Sequence, residues 1–453
     1  MTAPPSIDPL RYEAAQGRHR PFFWRAGRVV RPRQGSRWKL VDFCASRSRP
    51  RNATMFRIAT AASETSSTIG AIAHCIAQLV AQGMDAPRYL MIQANARHDL
   101  HAVGTAARAR WPQARIHCAT SCLGSMIETG TYTGQEPAVC LLAIADANGD
   151  YGTACGALGD APRAAAAALV RQALADADRL GETPALVWIS STPGKEEAVI
   201  AGLQDVVGAS TPIVGGSAAD NAIEGKWQVM SDGAAFGNGM VVSVMFPSTP
   251  IGAAFHSGYT PTALRGRITR CAGRRVFEID GQPAADVYAG WTRGTVVRPE
   301  VGAVNILMAT ALWPLGRRMQ AIGDTDIHLL SHPETIDADG SMTLFTDVAV
   351  DDELVLMSGT ADNLLARPAM VVESACRIGE TDKAQVAGMI LVFCAGCMLT
   401  VNDRLDEVRR SLNDRMPGVP FIAAFTFGEQ GPVLAGDNRH GNLMISVVTF
   451  ARG

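Results

Sequence analysis

At 453 residues the chain is longer than the roughly 250–300 residues at which a single hydrophobic core stops growing, so two domains are expected. Its 47% hydrophobic, 19% charged and 6% aromatic residues exclude disordered and fibrous classes. The net charge of −2 hides an asymmetry: residues 1–54 carry twelve basic against three acidic side chains, +9, which leaves 29 basic and 40 acidic, −11, on residues 55–453; a body of that sign excludes nucleic acid and anionic membrane as partners.

The basic arm from Arg11 to Arg51 is interrupted by Pro21, Pro32 and Pro50 and has no sustained apolar period. It is expected to be poorly ordered, and a nucleic-acid or lipid tether, a transit-like leader and an upstream extension ahead of a start at Met55 all fit its composition. No stretch reaches the roughly 18 apolar residues of a membrane span, and the N-terminus lacks the apolar core of a signal peptide, so a cytoplasmic location is expected. The ten cysteines then read as reduced thiols acting as small buried hydrophobes.

Beyond the arm, three segments share one grammar: an apolar strand, an amphipathic helix, then a second apolar strand ending in small polar residues. The first runs from a strand at 89–92 through a helix at 100–111 to a strand at 115–119, closing on Thr120, Ser121 and Cys122. In the second, a strand at 185–190 and a helix at 195–207 lead to 212–214 and then Gly215, Gly216, Ser217, Asp220 and Asn221. The third has a strand at 389–394, a helix at 402–416, and a strand at 420–425 before Thr426, Gly428 and Glu429. Between the first two, 162–180 reads as a helix with Pro162 in its first turn, and 237–246 as a buried strand. A turn-rich connection at 247–261 places a domain boundary near 258, giving domains at 55–258 and 259–453. In the second domain, 268–271 and 276–279 are expected to form a hairpin with a short helix from Pro283, and 341–357 a second hairpin turning at Asp351-Asp352.

Strands apolar on both faces must be covered by helices, so the expected fold class is α/β: two related layered domains with mixed sheets and repeated strand–helix–strand units. Small residues after a strand leave backbone N–H groups free for a polar ligand near the strand ends. One such turn alone reads as a turn; three predict a shared pocket lined by 120–122, 215–221, 426–429 and 440–442.

In chain order, these residues resemble the paired FIST N and FIST C domains, a family named for F-box and intracellular signal transduction proteins, over roughly residues 85–450. The N-terminal half matches in HCATSCLG (117–124) and VGGSAADN (214–221). The C-terminal half matches in VFEIDGQPAADVY (276–288), WPLG (313–316), FTFGEQGPV (425–433) and RHGNLMISVVTF (439–450). Two departures stand out: Ser121-Cys122-Leu123 replaces the acidic end of the family's first turn, and Gly441 separates His440 from Asn442 where the family has His and Asn adjacent. The resemblance implies a bacterial-type sensory domain for small molecules that works with receptors, histidine kinases or cyclic-dinucleotide enzymes. Because the chain ends at Gly453 directly after its last strand, a separate protein is expected to carry the output.

Asp220, Glu429 and His440 could hold the ammonium and carboxylate groups of an amino-acid-like ligand, or the two acids could merely cap turns. Some family members bind haem, which makes His440 the candidate axial ligand of an alternative haem-based nitric oxide sensor; no other cofactor is expected. An enzyme reading takes Cys122 or Ser217 as nucleophile and His440 as base, although no G-x-S-x-G elbow accompanies them. Cys394 and Cys397 form a C-x-x-C spacing open to redox or metal chemistry, against which structural burial is the plainer reading. An adaptor role, by analogy with the F-box members, lacks an F-box-like helical segment before residue 85. The reading favoured by these residues is a non-enzymatic, ligand-binding sensor.

Overall fold

The strand–helix–strand grammar closes into a larger unit that occurs three times. The computed structural model describes residues 56–322, 325–433 and 437–453, so the basic arm at 1–54 lies outside the described residues. The first unit is β1 (Arg57–Glu64), α1 (Thr68–Ala81), β2 (Tyr89–Asn95), α2 (Leu100–Arg110), β3 (Arg115–Ser121), β4 (Ser125–Ile127), β5 (Gly130–Tyr132) and β6 (Ala138–Ala145). The second is β7 (Asp150–Ala157), α3 (Pro162–Asp176), β8 (Leu186–Ser191), α4 (Glu196–Val207), β9 (Ile213–Ser217), β10 (Val229–Met230) and β11 (Gly239–Phe246).

The third opens with β12 (Ile251–Ser257) and then carries an insertion: β13 (Thr260–Ala272), β14 (Arg275–Ile279), β15 (Gln282–Pro283), α5 (Ala284–Trp291), β16 (Ala303–Asn305), β17 (Leu315–Ile322), β18 (Thr325–Ser331), β19 (Pro333–Asp337), β20 (Met342–Leu344) and β21 (Glu353–Ser358). It resumes with α6 (Ala361–Ile378), β22 (Val386–Cys394), α7 (Ala395–Thr400), α8 (Leu405–Arg415), β23 (Phe421–Thr426), β24 (Glu429–Val433), β25 (Asp437–Gly441) and β26 (Met444–Ala451). Local signals set these elements: Ser67, Asp99 and Thr360 cap α1, α2 and α6 through their side chains, and Pro162 opens the alanine-rich α3.

Each unit builds one sheet on a common plan. Its two middle strands run parallel, joined by a helix, and its last strand lies antiparallel between the first strand and that pair: β1-β6-β2-β3, β7-β11-β8-β9 and β12-β26-β22-β23. Every sheet is then completed by a strand from another unit. β10 of the second joins β3 of the first, β24 of the third joins β9 of the second, and β4 of the first joins β23 of the third. The exchange is cyclic, so no unit owns a complete sheet.

One face of all three sheets meets in a shared core containing Tyr89, Met91 and Leu142 from the first, Trp188 and Val214 from the second, and Ile390, Val392 and Ile422 from the third. The helices cover the other faces, each with its own apolar cluster. His117 lies buried among the sheets, with Nδ1 2.8 Å from Ser243 Oγ and Nε2 3.0 Å from Ser190 Oγ. Burial drives its pKa down to about 3, so it is a neutral packing residue at physiological pH.

The insertion forms a fourth sheet, β16-β19-β20-β14-β13-β21-β17-β18, with β15 on β14. One side packs on α5 around Ile268, Tyr288 and Leu315; Leu329, Leu330, Val355 and Met357 join the core of the third unit. The β13–β14 hairpin and the helix after Pro283 form as the sequence predicts. The expected hairpin at 341–357 does not: β20 pairs with β14 and β19, whereas β21 pairs with β13 and β17. Alternating polarity fixes a strand's buried face but leaves its partner open.

Candidate functional site

The ends of β3, β9 and β23, read from the sequence as three equivalent turns, meet at one place. Ser217 N–H donates to Gly428 O (2.7 Å), Phe427 N–H to Ser217 O (3.1 Å), Cys122 N–H to Phe425 O (3.0 Å) and Ala219 N–H to Thr120 O (3.0 Å). Gly216 allows this approach: a Cβ there would stand 2.4 Å from Thr426 Cγ2.

Several of the expected site residues are committed to holding this junction. Thr120 Oγ1 accepts from Gln228 N–H (2.9 Å). Ser121 Oγ accepts from Phe425 N–H (2.8 Å) and donates to Gly124 O (2.5 Å). Asn221, exposed at the rim, accepts Leu123 N–H (3.0 Å) and so helps hold Leu123 at φ 59°, a strained setting for a bulky residue. Asp220 accepts four backbone N–H groups, from Ala222, Ile223, Glu224 and Lys226; a ligand on this carboxylate would have to displace its own loop. Asn442 Oδ1 accepts His332 N–H (3.3 Å), tying the end of β25 to the fourth sheet. Cys122 is buried, and burial pushes its thiol up to about 12, which removes the thiolate that nucleophilic chemistry needs.

Successive residues of a strand face opposite ways, and β24 uses both faces at the junction. On one, Glu429 is fully buried, accepting from Thr426 Oγ1 (2.8 Å) and Met444 N–H (3.0 Å). Burial, reinforced by the neighbouring Cys394, holds its carboxyl well above the usual range, so the neutral acid is favoured. The folded state therefore binds a proton that the unfolded chain releases above its ordinary carboxylate pKa, and the wild type loses that stabilisation as pH rises from there. Glu429→Gln is expected to melt at the same temperature as wild type near pH 4 and above it by a few degrees at pH 7–8, as thermal scans across that range will show. Cys394, beside this acid, and Cys397, hydrogen-bonded to Cys394, are both buried free thiols, and burial raises Cys394 well above its usual value.

The other face carries the charged cluster. Ser217 Oγ donates to Glu196 Oε1 (2.8 Å), and His440 Nδ1 lies 3.0 Å from Glu197 Oε1. Arg274, from the turn between β13 and β14, reaches Glu196 Oε2 (2.8 Å), Glu197 Oε2 (2.9 Å) and Asp347 Oδ1 (2.9 Å). Burial opposes ionisation of both glutamates, but the hydrogen bond and charge of His440 with the charge of Arg274 outweigh it and hold Glu197 down to about 2, and Glu196 below its usual range. With Glu197 ionised at neutral pH, Nδ1 of His440 carries the proton. Its Nε2 is buried without a hydrogen-bond partner, and together with Ser217 Oγ it lies within 3.3 Å of the point where Gly428 would bear a Cβ.

Ser217, Gly428 and His440 were legible as site residues; Glu196, Glu197, Arg274 and Asp347 were not. An acidic pair opening a helix is what the helix dipole favours in any surface helix, and an arginine in a hairpin turn carries no motif. Glu196, Glu197 and His440 are close enough to share a metal ion, but each carboxylate oxygen already accepts a protein donor and the Arg274 guanidinium bridges the pair. Elsewhere, a cavity of about 170 Å3 beside Arg88, Arg115, Asp150 and Asp176 is walled by side chains that pair with one another.

A cyclic, three-unit α/β protein with a buried polar centre shared between its N- and C-terminal halves is thus the class defined by fold and site. The chain belongs to the FIST family: the FIST N domain model matches residues 89–282 and the FIST C domain model residues 284–432, and FIST domains are generally sensor domains of signal transduction. The uncharacterized protein MJ1623 of Methanocaldococcus jannaschii is 33% identical over 86 residues, 18% of this chain and 17% of that protein. Among solved structures, cyanuric acid hydrolase from A. caulinodans aligns over 88% of this chain and 99% of its own at 10% identity, with a TM-score of 0.38. A second cyanuric acid hydrolase structure aligns over 88% and 100% at 10% identity, with a TM-score of 0.33.

The residues around His440 do not fit a haem. Its side chain is fully buried, Nδ1 is held by Glu197, and Nε2 lies against Gly428 and Ser217, so an axial bond would have to be made through a backbone rather than into a large apolar pocket. Among the described residues no helix is long and apolar enough to cross a membrane.

Proposed function

We propose that this protein is a non-catalytic sensory module that binds a small, amino-acid-like ligand at the Ser217–His440 face and passes occupancy to a separate signalling protein, such as a histidine kinase, a chemoreceptor or a cyclic-dinucleotide enzyme. The observation that carries this reading is the buried, unpartnered Nε2 of His440 beside Ser217 Oγ, at the seam where the third unit completes the sheet of the second. A ligand there touches both family halves and lies next to Arg274 of the fourth sheet. It would bias their relative arrangement by its differential affinity for the two states, and no further.

With its proton on Nδ1, His440 offers Nε2 as a free acceptor, which suits the ammonium group of such a ligand. The test is titration calorimetry of the full chain against the common amino acids. His440→Ala is expected to weaken the bound one at least tenfold with little change in melting temperature; equal affinity in wild type and variant would remove His440 from the site.

A hydrolytic reading draws on the Glu197–His440 pair beside Ser217, an acid, base and hydroxyl in one cluster. Against it, Ser217 Oγ donates to Glu196 and not to His440. Uniquely fast acylation of Ser217 by electrophilic probes would favour the enzyme over the sensor.

A further inference from the structure

We infer that Gln430, acting with His440 and Ser217, is the recognition residue of this face, and that the ligand it selects carries a carboxamide-type edge, an N–H donor beside a C=O acceptor. The inference rests on the sensor reading above and adds the ligand's chemistry to it.

Gln430 is fully buried, and neither Oε1 nor Nε2 of its side chain has a hydrogen-bond partner. The strand register says which way the amide faces. Gln430 stands directly opposite His440 on β25 and opposite Gly215 on β9, and directly opposed residues share a face of the sheet. Gly428, two residues earlier, shares it too, and it is at Gly428 that His440 Nε2 and Ser217 Oγ converge. Gly215 contributes no side chain. Three unpartnered atoms, Oε1 and Nε2 of Gln430 and Nε2 of His440, therefore lie on one face at neighbouring positions, with the Ser217 hydroxyl beside them.

Nearby charged groups do not relieve Gln430. The oxygens of Glu196 accept from Ser217, Gly194 N–H and Arg274, and those of Glu197 from His440, Arg274 and Asp347 N–H. A buried polar atom left unpaired is destabilising, and an amide offers both a donating NH2 and an accepting oxygen. A carboxylate ligand would satisfy the NH2 and set its charge against Oε1; an ammonium would satisfy Oε1 alone. A second carboxamide satisfies both at once.

The experiment uses the full chain and four probes, L-glutamine, L-asparagine, L-glutamate and L-aspartate, by calorimetry, with melting curves of the ligand-free protein. Wild type is expected to prefer the amide of at least one pair over its acid by tenfold or more. Gln430→Met, similar in volume, should abolish that preference while leaving the ligand-free melting temperature unchanged or raised, because it removes polar atoms that nothing satisfies. A fall of several degrees in that melting temperature would make Gln430 a structural amide, held by ordered water alone, and overturn the proposal. So would undiminished preference in the variant, or no binding of any probe. If other amino acids bind and His440→Ala weakens them, the sensor reading stands and the carboxamide inference fails.

Discussion

Cut between residues 258 and 259, the chain is expected to give two fragments that are insoluble or unfolded when produced separately and regain structure only when produced together. The cyclic exchange of strands is the reason. The N-terminal fragment would hold β4, whose partner β23 lies in the other piece, and would lose β24 from the edge of β9. It would also keep β12, which pairs along its length with β26 at the far end of the chain. Ile390, Val392, Ile422, Val448 and Phe450 leave the shared core with the C-terminal fragment, exposing Tyr89, Met91 and Trp188. A domain's net stability is only about 5–15 kcal/mol, and burying a single large apolar side chain is worth about 1.5–3 kcal/mol, so losing this many exceeds what either piece can tolerate. Circular dichroism and size-exclusion profiles of each fragment alone and together test this. A cooperative thermal transition in the isolated N-terminal fragment would contradict it.

Replacing Arg274 with alanine is expected to destabilise the protein by about 3–5 kcal/mol, the range for removing one partner of a buried ion pair. Glu196 is 2% exposed, and without the guanidinium its charge would rest on its hydrogen bonds and on the nearby His440. The double variant Glu196→Gln with Arg274→Met should recover part of the loss, because the most deeply buried of the three carboxylate charges that Arg274 pairs with is then gone. The pH dependence follows from Glu197. Its folded pKa of about 2 lies below the ordinary value of 4.5, so its stabilisation is present above pH 4.5 and lost as pH falls toward 2. The gap between wild type and Arg274→Ala should therefore narrow across that acid window. Denaturant midpoints at pH 7 and pH 3 measure both effects; an equal gap at the two values would mean that the pair is not what Arg274 stabilises.

The parts of this architecture that were legible are the local ones. The helices at 100–110, 162–176 and 196–207 and the strands between them follow from apolar periodicity, with Pro162 marking the first turn of the second. The three strand ends were also readable as equivalents, and they converge. What the pattern could not disclose is pairing between distant segments: β4, β10 and β24 are short, and nothing local says that each completes another unit's sheet. The same limit applies at the site. Asp220 and Asn221 carry ligand-like side chains yet hold their own loops, whereas Glu196 sits in an ordinary-looking helix start and gains its importance from Arg274, 78 residues away. Gln430 lies inside the FTFGEQGPV segment without being singled out there; burial without a partner distinguishes it.

The most direct test of the central claim, that the Ser217–Gln430–His440 face holds a small ligand, is native mass spectrometry with an absorption spectrum on freshly purified wild type and His440→Ala. The expected result is a colourless wild-type protein retaining a small organic mass that the variant lacks. A Soret band lost on substitution, or equal retention by both proteins, would contradict it.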